Sequence, residues 1–158
     1  MEGIVLRKFE NGDISLFKKW LYSEHVAKWY KEPEAWLEEI TQRDTKYNWI
    51  THLLVEYEGV PIGFCQYYDY AYGEETWHGN MEVEDAYSID YLIGETAYLR
   101  RGLGKSIVLH LLDKIKKETS AKKIVVQPEA GNLASRNTLL SAGLLYDAEN
   151  DVYYKEIA

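Results

Sequence analysis

Ser88-Ile89-Asp90-Tyr91-Leu92-Ile93-Gly94, and after it Leu99-Arg100-Arg101-Gly102-Leu103-Gly104-Lys105-Ser106, is the stretch that decides the fold. The first part belongs to a β-forming run from Ala86 to Ile93 with one carboxylate set among apolar residues. The second is a turn with two glycines and three cations. The segment after it places Ile107, Val108, Leu111, Leu112 and Ile115 at helical spacing, with Lys114, Lys116 and Lys117 at the end where cations suit the macrodipole. Lys122 to Gln127 then reads as a short, nearly continuous apolar strand, the kind buried between neighbours.

Working outward, Trp49 to Tyr57 and Ile62 to Tyr70 are β-rich runs joined by the turn Glu58-Gly59-Val60-Pro61, hence an antiparallel pair. Ile4 to Phe9 is a further strand. Asp13 is placed to cap a helix carrying Leu16, Phe17, Trp20 and Leu21. A short helical piece holds Val26, Trp29 and Tyr30. Pro33 suits the first turn of a helix with Trp36, Leu37 and Ile40. Downstream, Leu133 to Ala142 is a helix that Gly143 closes. Leu144 to Tyr146 and Val152 to Lys155 form a closing strand pair. Tyr72 to Asp85 reads as a loop or irregular hairpin. The expectation is one mixed α/β domain over residues 1–158.

At 158 residues, the chain fits one domain on the usual ~100–200 residue scale. Apolar residues at 46% against 28% charged describe a globular chain rather than a disordered one. No apolar run approaches the ~18 residues of a membrane helix. Met1-Glu2-Gly3-Ile4 does not open a signal peptide, so a cytoplasmic protein is expected. Cys65, the single cysteine, cannot form an internal disulfide or build a metal site alone. The four histidines show no ligand spacing, and no metal is assigned. The net charge of −8 argues against a general nucleic-acid binder. From Tyr47 to Leu99 there are ten acids and no lysine or arginine, while the remaining residues hold sixteen acids against eighteen bases. Two readings stay open: a solvated acidic face, or a cleft that draws in a cationic small molecule. The oligomeric state is not legible.

Three places could carry chemistry. Backbone N–H groups at a helix N-terminus attract phosphate, and Gly102 and Gly104, with Arg100, Arg101 and Lys105, would let a pyrophosphate approach. Neither a Walker loop nor a dinucleotide fingerprint fits the spacing. Asp90, in an apolar strand, is either a structural acceptor or a base whose pKa burial raises; its residue context alone favours the structural role. The third place is the aromatic set Trp29, Tyr30, Tyr67, Tyr68, Tyr70, Tyr72 and Trp77 beside Asp69, Glu74 and Glu75. Such a set either binds an ammonium ligand or is ordinary core with exposed tyrosines.

The strand, the turn Arg100-Arg101-Gly102-Leu103-Gly104, the helix and strand that follow, then Gln127-Pro128 with Asn132 and a helix ending Ser141-Ala142-Gly143-Leu144, together resemble the GNAT acetyltransferase superfamily. Val60-Pro61-Ile62-Gly63-Phe64-Cys65-Gln66-Tyr67-Tyr68, Tyr87 to Gly94, and Lys19-Trp20-Leu21 with Val26 and Trp29-Tyr30 are similar to the aminoglycoside 6′-N-acetyltransferases within it. The resemblance implies a mostly antiparallel sheet of about six to seven strands, with a splayed central parallel pair and about four flanking helices. It implies acetyl-CoA as co-substrate. The pyrophosphate would lie on Arg100, Arg101, Gly102, Leu103, Gly104, Lys105 and Ser106, and the pantetheine arm along Tyr91, Leu92 and Ile93 and against Asn132. A backbone N–H near Leu92 would polarise the thioester carbonyl. It implies Asp90 as general base, which reverses the structural preference, and an amine pocket of Trp29, Gln66, Tyr68, Glu75, Trp77 and Asp90. Four positions depart from the family pattern. Leu99 opens the Gly-rich signature, Tyr91 replaces a frequent glutamine, and Gln127 replaces an aspartate that faces the drug. Leu139 stands where many members have a tyrosine that protonates the leaving thiolate. Implied alternatives are a polyamine, amino sugar or siderophore-precursor acceptor, a protein N-terminus or lysine, or a CoA binder with little catalysis.

Overall fold

The computed structural model describes residues 3–157. The chain runs β1 (Ile4–Lys8), α1 (Ile14–Leu21), α2 (Glu24–Ala27), α3 (Pro33–Thr41), β2 (Ile50–Tyr57), β3 (Val60–Asp69), β4 (Ala86–Ile93), α4 (Leu103–Glu118), β5 (Lys123–Val126), α5 (Leu133–Ser141), β6 (Leu145–Asp147) and β7 (Val152–Glu156). The strands form one sheet in the order β1-β2-β3-β4-β5-β7-β6. All neighbours pair antiparallel except β4 and β5, whose parallel ladder holds only Ala86↔Lys123 and Tyr87↔Ile124. The seven strands and the parallel central pair agree with expectation. Among the described residues there are five α-helices, in keeping with about four expected, the short piece at Val26 forming a four-residue helix of its own.

The two faces of the sheet follow from the two-residue period of β-strands. Cys65, Tyr67 and Ile89 turn to one face and pack with Leu103, Ile107, Val108, Leu111 and Ile115 of α4. Phe64 and Leu92 turn to the other and pack with Phe17, Trp20, Leu21, Val26 and Ile40 of the three N-terminal helices. Gln66 and Asp90 share this second face and lie opposite each other in the β3–β4 register. The acidic segment after β3 begins with a 3₁₀ turn, Tyr70–Gly73, and is otherwise irregular up to β4. Tyr70 anchors it in a third cluster with Ala86, Val125 and Val152.

The end of β4 is held by a close approach. A Cβ on Gly94 would lie 2.1 Å from the ring of Trp20, a side chain with no exposed surface. The Trp20 indole in turn donates to Glu95 Oε2 at 2.5 Å. Gly94→Ala is therefore expected to lower unfolding stability by about 1–3 kcal/mol through overpacking. Urea denaturation checks this, with an unchanged slope and a lower midpoint as the expected result.

Candidate active site

Past Tyr87, β4 has no strand partner on its β5 side among the described residues, so its backbone polar groups there face a fork between the two strands. The alternation of an antiparallel ladder decides which groups these are. Gly94 N–H donates to Ile62 O of β3 at 2.7 Å. Leu92, two residues back, faces β3 as well, while Tyr91 and Ile93 face the fork. The Tyr91 N–H donates to the Tyr30 hydroxyl at 3.2 Å, and that hydroxyl donates back to Tyr91 C=O. Ile93 C=O lies 2.9 Å from His25 Nε2. Of the peptides near Leu92 expected to polarise a carbonyl, the Leu92 N–H itself faces β3, and strand alternation presents the Tyr91 N–H to the fork.

Asp90 projects from the next position onto the α1–α3 face. Gln66 Nε2 donates to its Oδ2 at 2.9 Å. Desolvation raises the Asp90 pKa to about 6; the Gln66 bond opposes the rise, and the Glu39 and Glu75 carboxylates add to it. Gln66 is 2% exposed, and its Oε1 is buried without a hydrogen-bond partner among the described residues. Glu75 Oε1 accepts from Tyr68 at 2.6 Å and Glu75 Oε2 from the Trp77 indole at 2.8 Å. Glu39 reaches the group from α3 and lies 3.3 Å from the buried His52, which pairs with Gln66 across β2–β3. Gln66, Tyr68, Glu75, Trp77 and Asp90 are thus linked through direct contacts or charge.

The remaining candidate residues have the following contacts. The Trp29 ring carries the Lys28 ammonium 5.0 Å from its centroid, and it is Tyr30 that enters the fork. Tyr67 turns to the opposite face and donates to Glu118 at 2.9 Å. Tyr70 meets His78 Nδ1 at 2.9 Å. Cys65 is fully buried, and burial pushes its thiol pKa up, so packing is its part. Several acids of the base-free stretch are spent in structure: Glu56 on Arg7, Asp85 on Lys122, and Glu95 on Trp20 and Lys19. Gln127 donates to Asp151 O at 3.0 Å. Leu139 is fully buried core.

At the mouth of the fork, Arg100 and Gly102 both have left-handed backbone, with φ of 60° and 76°, and Gly102 caps α4. The first-turn N–H groups of this 16-residue helix are without intrahelical acceptors. Lys105 is exposed, while Leu103 is buried and can offer only its backbone; the Ser106 N–H is already donated to Gly102 C=O at 3.4 Å. Arg101 lies over the rings of Tyr57 and Tyr98, 5.6 and 5.1 Å from their centroids. Asn132 caps α5 by accepting from Ser135 N–H at 3.1 Å, which leaves its amide nitrogen for other partners. The Tyr91 side chain crosses to the same helix, its hydroxyl 2.9 Å from that of Ser135.

A strand forking from its parallel neighbour beside a cationic, glycine-capped helix N-terminus agrees with comparison to known proteins. A family model described as an acetyltransferase (GNAT) domain matches residues 10–152. The chain belongs to the GNAT acetyltransferase family. This acetyltransferase is 23% identical over 151 residues to aminoglycoside N(6′)-acetyltransferase type 1 of Klebsiella pneumoniae, covering 90% of this chain and 74% of that one. An aminoglycoside 6′-acetyltransferase solved with coenzyme A and kanamycin superposes with a TM-score of 0.78 at 21% identity, covering 97% and 94% of the two chains. A spermidine N-acetyltransferase from Vibrio cholerae, solved with coenzyme A and spermine, superposes with a TM-score of 0.75 at 15% identity, covering 99% and 96%. No helix among the described residues is long and apolar enough to cross a membrane.

The Asp90 environment predicts a stability change of defined sign. A carboxyl whose folded pKa is raised favours the folded state below its unfolded pKa, and that contribution is lost as pH rises through about 6. Asp90→Asn should therefore be more stable than the parent protein at pH 7.5, by about 1–3 kcal/mol. The advantage should shrink as pH falls through 6 toward 4. Thermal melts of both proteins at pH 4.5, 6 and 7.5 measure it.

Proposed function

We propose that this acetyltransferase moves the acetyl group of acetyl-CoA directly onto a primary amine of a small cationic acceptor that bears more than one ammonium group, in the cytoplasm. The observation that carries this reading is Asp90, a carboxyl held near neutrality on the strand whose open edge faces the fork. Glu39 and Glu75 lie near enough to act on it. A single amine needs one carboxylate. Three converging carboxylates with aromatic walls fit a polycation, whether an aminoglycoside or a polyamine.

The residues present fit acetyl-CoA. The Tyr91 peptide is unpaired by any strand, and the α4 N-terminus, with Arg100, Arg101 and Lys105, is an anion cradle suited to a pyrophosphate. Asn132 offers its amide nitrogen beside the fork. When bound, acetyl-CoA supplies the activated acetyl group. Asp90 takes a proton from the acceptor ammonium, since only the neutral amine attacks. The Tyr91 N–H polarises the thioester carbonyl where negative charge develops. Gln66 steadies the Asp90 carboxylate through Nε2, and its Oε1, without a partner among the described residues, is left to accept from an ammonium. Tyr68, Glu75 and Trp77 form the cationic wall. Holding both reactants in one cleft supplies much of the rate.

The test is CoA release from acetyl-CoA with a 2-deoxystreptamine aminoglycoside, spermidine and a monoamino sugar in parallel. Saturable release with a polycation, and a higher KM for the monoamine, is the expected result. Turnover should fall at acid pH with an apparent pKa of about 6 as Asp90 protonates. Asp90→Asn should lower kcat about 100-fold and abolish that limb. Acetyl-CoA binding with no release to any amine would instead favour a CoA-binding protein.

A further inference from the structure

The sulfur that leaves an acetyl thioester needs a proton, and the donor must be a side chain that reaches the open edge of β4. Two tyrosine hydroxyls approach β4. That of Tyr91 lies on the α5 side, paired with Ser135. That of Tyr30 lies on the fork itself, accepting from Tyr91 N–H and donating to Tyr91 C=O. Its ring packs edge-on against Trp36, with centroids 5.2 Å apart, and Tyr30 N–H is tied to Val26 O at 2.9 Å, so the phenol is held from α2 and α3. Asp90 is close enough for its charge to act on this hydroxyl. The Tyr30 oxygen therefore occupies the place that a carbonyl oxygen would take on the Tyr91 amide.

We propose that Tyr30 is a further catalytic residue: its hydroxyl holds the Tyr91 peptide until the thioester carbonyl takes that place, and then gives its proton to the departing sulfur. This rests on the acetyl-transfer reading above. The carbonyl oxygen and the sulfur share one carbon. A hydroxyl displaced from the amide by the first, with its ring still anchored, remains in contact distance of the second. From the neutral amine onward the balance closes within the site. Asp90 first passes the ammonium proton on to solvent, the one net proton the reaction releases, and then removes the second proton, which the nitrogen loses as the C–N bond forms. The C–S bond breaks with its electron pair on sulfur, and sulfur takes the Tyr30 phenolic proton. The phenolate then recovers a proton from the Asp90 carboxylic acid, and both groups return to their starting states. Burial keeps Tyr30 protonated at neutral pH, as the donor role requires.

Tyr30→Phe tests this, because it keeps the ring on Trp36 and removes only the hydroxyl. Two changes are expected together. Acetyl-CoA, titrated calorimetrically without acceptor, should bind about 5-fold more tightly, since the ligand no longer competes with a hydroxyl for the Tyr91 peptide. With a saturating amine, kcat should fall about 10- to 100-fold. An affinity that is unchanged or weaker overturns the proposal. So does a kcat within 2-fold of the parent enzyme, or a kcat loss confined to Tyr91→Phe. Failure of the acetyl-transfer reading shows differently: the parent protein would turn over no amine, while the affinity comparison would still decide whether Tyr30 guards the fork.

Discussion

A strand edge with no neighbouring strand must find other partners for its N–H and C=O groups, and β4 has such an edge from Ser88 onward. A buried backbone donor left unpaired costs about 1–3 kcal/mol. In this chain the groups are met from outside the sheet, by the Tyr30 hydroxyl on Tyr91 and by His25 on Ile93 C=O. The N-terminal helices thus cover the hydrophobic face of the sheet through Phe17, Trp20 and Leu21 and also satisfy the open edge. The sheet can fork because its two halves are stabilised separately. β1 to β4 form an antiparallel ladder, β5 to β7 form another, and α4 packs across the join.

The same geometry fixes the character of Asp90. Facing the helices rather than the fork, it loses hydration, keeps a single hydrogen bond, and feels two other carboxylates. Each of these effects except the Gln66 bond works against the charged form. A carboxyl built this way destabilises the folded protein at neutral pH and takes up a proton more readily for the same reason. Gln66 is the balancing element. Its nitrogen serves Asp90, while its oxygen is buried with no partner among the described residues, an arrangement that suits a ligand rich in N–H groups.

Most of the fold was legible because its signals are local. The two-residue period around Cys65 and Asp90, the turn at Glu58-Gly59, the five apolar positions of α4 and the Gly143 stop each appear where the sequence places them. The site was legible only in part. The resemblance gave Asp90, Gln66, Tyr68, Glu75 and the Gly102 turn, and the structure brings the carboxylate and aromatic residues together. It named Trp29 for the amine pocket and did not single out its neighbour Tyr30, because only the turn after α2 decides which aromatic meets the β4 edge. Nor did it tell Leu92 from Tyr91, because the direction of a peptide N–H depends on ladder register. Glu39 and His52 carried no motif and come near Gln66 and Asp90 only through the packing of α3 on β2.

The account stands or falls on the Tyr91 peptide as the point where the acyl donor meets the strand. The most direct measurement is an amide NMR titration of the labelled protein with acetyl-CoA. The account predicts that the Tyr91 N–H resonance moves strongly and saturably, while that of Leu92, turned to β3, moves little. A Tyr91 resonance that stays in place at saturating acetyl-CoA, with Leu92 shifting instead, would contradict it.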